Sequence, residues 1–135
     1  MPQPDLFEDA NSNSAANLKA KHILIRSALR TLIDLSIATS LSKGFLKEGT
    51  LNALPEVHMA LIHSEVSEAL EALRLEEPPQ SGKIPDHLLV TEELADVVIR
   101  CAIVAGMLGV DLGDAVVQKG EYNKGRPMMH GGKRF

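Results

Sequence analysis

Two pairs of carboxylates carry the first chemical suggestion in this sequence. Glu65 and Glu68 stand three residues apart in "LIHSEVSEALEALR", and Glu93 and Asp96 repeat that spacing in "TEELADVVIRCAIVAGML". At about 100° per residue, each pair shares one arc of a helix. The first arc also carries Val57, Leu61, Ala72 and Leu75, and the second carries Leu89, Arg100, Ile103 and Met107. Acids on semi-apolar arcs of two neighbouring helices would face each other across an antiparallel pair. Four carboxylates gathered there repel one another and resist desolvation. A divalent cation removes that cost, and an all-oxygen ligand set suits magnesium, or manganese, rather than zinc. A ferritin-like di-iron site would need Glu-x-x-His on two helices, and no His follows Glu65 or Glu93 at that distance.

The elements that must hold these residues are helices. Leu18, Leu24, Ala28, Leu32 and Leu35 recur at helical spacing and predict a helix over 17–41. A second helix starts near Pro55, a residue favoured in the first helical turn, and runs to about Leu75. A third runs from about His87 to Leu108, closed by Gly109. A fourth follows Asp111 as N-cap and runs to about Asn123. The three prolines of "EEPPQSGKIPDH" mark a loop. No strand-like alternation persists, so the fold class expected is all-α, an antiparallel four-helix bundle. In the second helix Met59, Ile62, Val66, Leu70 and Leu73 form the main apolar arc, while His63, Ser67, Glu71 and Arg74 form the solvated one. In the third, Val90, Leu94, Val97, Cys101, Val104 and Leu108 form the main apolar arc.

The 135 residues suffice for one domain: an N-terminal arm over 1–16, a helical domain over 17–124 and a C-terminal tail over 125–135. Aromatic residues are 3 % with no Trp, so the core is aliphatic. A net charge of −4 and the lack of a basic stripe argue against nucleic acid as a partner. No apolar run approaches roughly 20 residues, so no membrane partner is expected. The N-terminus has no signal-peptide pattern. A single cysteine, Cys101, fits a reducing, cytoplasmic setting and a small packed side chain.

Glu65-x-x-Glu68, 24 residues, then Glu93-x-x-Asp96 resembles the signature of the MazG-like all-α nucleoside triphosphate pyrophosphohydrolases. The flanking "EVSEALEALR" and "EELADVV", and "KGEYNKGRPMMHGGK" near the C-terminus, are similar to that family too. The likeness spans roughly residues 55–133. It implies a homodimer or dimer of dimers that uses magnesium to cleave a nucleoside triphosphate between its α- and β-phosphates. The products would be a monophosphate and pyrophosphate, and the role would be housecleaning or trimming of the nucleotide pool. Glu65, Glu68, Glu93 and Asp96 would bind metal, with Glu65 or Glu68 as the base that activates water. Lys119, Asn123 and Arg126 fall at the family's basic and amide positions. Their i, i+4, i+7 spacing suits phosphate, and Arg offers a two-pronged fork. Lys119 could instead complement the helix C-terminus. Phe45 is the first candidate for stacking on the base, and Tyr122 the next. Arg100 is expected to pair with Asp96 at i+4. His58 is read as a packed histidine near the acids. Ala95, Ile99, Ala102 and Gly106 form a small-residue stripe expected at a dimer interface, or against the first helix. A phosphoribosyl-ATP pyrophosphohydrolase and a non-catalytic helical module are the competing readings.

Overall fold

The computed structural model describes residues 15–47 and 54–127. Most of the predicted arm and tail, His130 and Lys133 among them, therefore lie outside the described residues. Those described form four helices and no strand: α1 (Ala15–Ser42), α2 (Pro55–Leu73), α3 (Leu89–Leu108) and α4 (Leu112–Lys124). Pro55 opens α2, Gly109 ends α3 with φ 63°, and the Asp111 carboxylate caps α4 by accepting the Asp114 N–H at 2.9 Å.

The helices form an open row, α2 on α3, α3 on α1 and α1 on α4. Neighbours run antiparallel, as the pairing of Arg30 with Asp111 and of His22 with Glu121 shows for α1 and α4. Two glycines set how close the row can pack. A Cβ on Gly106 would lie 2.6 Å from Ile37 Cγ1, and one on Gly113 would lie 2.8 Å from the Cα of Arg26. Ala102, at 0 % exposure, and Gly106 thus belong to the α1–α3 contact within the chain. The Gly106 end of the small-residue stripe packs on the first helix, while Ala95 and Ile99 nearer its other end are exposed. The deepest apolar cluster is Leu46, Ile103 and Met107, with Ile37 and Leu41 packed against it.

A correction concerns α2. The arc expected to be its main apolar face is largely turned outward: Met59, Val66, Leu70 and Leu73 are exposed. Glu65, Ala69 and Ala72 are the buried residues of this helix. On α3, Leu94 and Leu108 of the expected main arc are exposed, while Val104 is buried. Among the described residues α2 packs chiefly on α3, so it buries one face, and the face with small residues permits the closer approach.

Candidate functional site

The α2–α3 contact places the carboxylates. Glu65 from the buried face of α2 meets Glu93 and Asp96 from the first turns of α3, with one oxygen of each within 4.8 Å of the others. Glu65 and Glu93 are buried and Asp96 is half-buried. Three of the four acids expected together are therefore together. Glu68 is exposed and stands outside this group of three, because three residues of helix turn it toward solvent; Ser64 Oγ donates to it at 3.4 Å. Its charge is still felt. Burial first, then the Glu68 charge, then a hydrogen bond with Glu65, push the Glu93 carboxyl above the usual glutamate range.

One cation sits within the cluster. Arg100 Nε donates to Glu65 Oε1 at 2.6 Å, and its Nη2 forms an ion-pair contact with the same oxygen at 2.6 Å. The expected pairing of Arg100 with Asp96 along the helix is thus replaced by a pairing across helices. Among the described residues no ion pair reaches Glu93 or Asp96. Glu93 is then a carboxylate 5 % exposed with no cation beside it, an arrangement that low dielectric penalises. Three oxygen ligands, two of them in no ion pair among the described residues, fit magnesium or manganese by type and spacing.

Glu92, next to Glu93, is an acid whose role the sequence reading did not anticipate. It is buried and bonded to Ser81 and Lys83. Ser81 Oγ also accepts the N–H groups of Lys83 and Ile84, at 3.1 and 2.8 Å. The hydrogen bond from Lys83, then that from Ser81, hold the Glu92 carboxyl below its usual range. The proline-rich loop is thereby pinned to the start of α3, beside the acids. The ordinary polar residues of "SGK" gave no pattern by which to find this.

A cavity of about 590 Å³ opens next to the acids, between α1, α2 and α3. Leu32, Leu35, Val57, Leu61, Ile99 and Ile103 give it apolar walls, and Asp96 and Arg100 form its link to the carboxylates. Phe45, 79 % exposed, also lines it. Ser36, Ser40 and His58 add polar groups, and His58 Nδ1 is buried with no hydrogen-bond partner.

Lys119, Asn123 and Arg126 are not brought to this place within one chain. All three are exposed, on α4 or just past its end. Lys119 Nζ lies 4.5 Å from the centre of the Tyr122 ring, so Tyr122 serves there and not at the cavity. Glu121 of the same helix bonds His22 at 3.0 Å, whereas Ser36 of α1 lines the cavity. Fourteen residues of helix between them span about 21 Å at 1.5 Å each. Comparison with known proteins found no matching family model, no similar curated protein and no similar solved structure.

Proposed function

We propose that the protein is a magnesium-dependent nucleotide pyrophosphohydrolase of the MazG-like all-α kind. It would cleave a nucleoside or deoxynucleoside triphosphate between the α- and β-phosphates. The observation that carries this reading is the buried Glu93 carboxylate, within 4.8 Å of Glu65 and Asp96 oxygens, with Asp96 also lining a cavity of about 590 Å³. Glu93, Asp96 and Glu65 would hold the cation, which when bound neutralises charge on phosphate oxygens. The cavity takes the nucleoside, with Phe45 against the base. Of the two candidate bases Glu68 fits better. Glu65 is engaged by Arg100, whereas Glu68 is exposed, acts on Glu93 by its charge, and can orient a water and accept its proton. That water adds to phosphorus as the α–β bridging bond breaks, and pyrophosphate leaves.

The phosphate-binding role of Lys119, Asn123 and Arg126 then requires a second copy of the chain. The exposed apolar residues Met59, Val66, Leu70 and Leu73, which share one side of α2, supply a face for it. The protein is thus a homodimer or a dimer of dimers in which α4 of one copy serves the acids of another. Among the described residues no helix is long and apolar enough to cross a membrane. The test is a panel of ribo- and deoxynucleoside triphosphates with magnesium, scored for pyrophosphate against phosphate. Pyrophosphate with an equal amount of monophosphate supports the reading, and phosphate release or no release from every member refutes it.

A further inference from the structure

Arg100 stands where the acid cluster and the cavity meet. It gives its Nε–H to one oxygen of Glu65 and brings Nη2 into ion-pair contact with that same oxygen, and its side chain lines the cavity beside Asp96, Ile99 and Ile103. Glu65 is buried while the Arg100 side chain is 29 % exposed, so the pair is reachable from the cavity. Both contacts fall on one oxygen. This is not the parallel two-oxygen fork that makes an Arg–carboxylate pair geometrically secure, whereas a phosphate group offers that fork. A guanidinium here has two opposed effects. It relieves repulsion among the acids in the free protein, and it repels any further cation that Glu65 would help to hold.

We propose that Arg100 is a built-in counter-ion, holding Glu65 in the free protein and moving to a substrate phosphate when nucleotide and cation arrive together. The inference rests on the reading that the acids take a divalent cation. Its consequence is that metal alone binds weakly, because Arg100 already occupies Glu65. Metal carried on a polyphosphate binds well, because the phosphate draws Arg100 away. Arg100 is in this sense both a phosphate ligand and the residue that couples metal loading to substrate.

The coupling gives a test by sign. Manganese binding would be followed by the electron-spin signal of free Mn²⁺, and binding of manganese-saturated inorganic tripolyphosphate by calorimetry, in wild type, Arg100→Gln and Arg100→Lys. Arg100→Gln should bind manganese alone roughly tenfold tighter than wild type, and the manganese–tripolyphosphate complex roughly tenfold more weakly. Arg100→Lys keeps a cation and safeguards the fold; it should move both affinities the same ways by less. If Arg100 only props Glu65 in place, both variants bind manganese more weakly and the inference falls. If Arg100 is a bystander, neither affinity changes and it falls again. If wild type binds neither manganese nor the complex, the functional reading itself fails, and this inference with it.

Discussion

Replacing Glu93 by Gln removes one negative charge from the acid cluster while keeping the side chain's shape. At the 4.8 Å that bounds the cluster, two unit charges repel by about 3.5 kcal/mol at an effective dielectric of roughly 20. Arg100 offsets most of the Glu65 contribution, so the repulsion relieved comes from Glu68, the first charge acting on Glu93, together with Asp96 inside the cluster. Burying an amide in place of the acid takes back about 1–2 kcal/mol. The metal-free variant should therefore be more stable than wild type by about 1–3 kcal/mol, or about 4–10 °C in melting temperature for a chain of this size. The pH dependence has a definite sign. The Glu93 carboxyl is raised, by burial first and by Glu68 next. Its favourable contribution is complete below the ordinary glutamate range and is lost as pH rises through the raised value. The advantage of Glu93→Gln should thus widen from acid to neutral pH. Magnesium at 100 times its dissociation constant stabilises a protein that binds it by about 2.7 kcal/mol; wild type should show that gain and Glu93→Gln should show little. Circular dichroism melts from pH 4 to 8, with and without magnesium, measure all of this (pH window on the order set by glutamate titration). A variant that melts at or below wild type at neutral pH, with a gap that does not change with pH, would refute the reasoning.

Gly113→Ala should lower stability by about 1–3 kcal/mol, because its Cβ meets the backbone of Arg26 and not a flexible side-chain end; a thermal melt checks it. Lys83→Met should shift acid unfolding to higher pH. Lys83 is the first cause of the lowered Glu92 carboxyl, whose stabilising contribution is present above the ordinary range and lost as pH falls through the lowered value. Mixing equal amounts of inactive Asp96→Asn and inactive Lys119→Ala copies should restore about a quarter of wild-type hydrolysis, since half of randomly paired dimers are mixed and each has one intact site. No recovery after verified subunit exchange would place the phosphate set elsewhere.

The helices were legible because periodicity and end signals are local. Pro55, Gly109 and Asp111 mark their boundaries as read, and the observed ends differ by only a few residues. The acidic arcs were legible too, since residues three apart share a face in any helix. Facing and register were not. A helical wheel of α2 shows two semi-apolar arcs and does not say which one a neighbour covers. The side chains that settle it are Ala69 and Ala72, which let α3 approach, while Leu70 and Leu73 remain outside. Arg100 obeys the same logic. Its i+4 neighbour was visible in the sequence, but Glu65 became its partner only through the register of α2 on α3. Gly106 read first as a dimer contact and second as an α1 contact, and the position of Ile37 sets it against α1. The distance from Lys119 to the acids depends on α4 folding back along α1, which no local pattern records.

The most direct measurement is pyrophosphate release by the wild-type protein against magnesium concentration, with Asp96→Asn as its partner in the same assay. Asp96 joins the acid cluster to the cavity and takes part in no ion pair among the described residues, so the fold should survive its neutralisation. Wild type should release pyrophosphate with saturating dependence on magnesium, and Asp96→Asn, folded by circular dichroism, should lose at least about a hundredfold in rate. Pyrophosphate release that needs no divalent cation, or that Asp96→Asn retains, would contradict hydrolysis at this cluster.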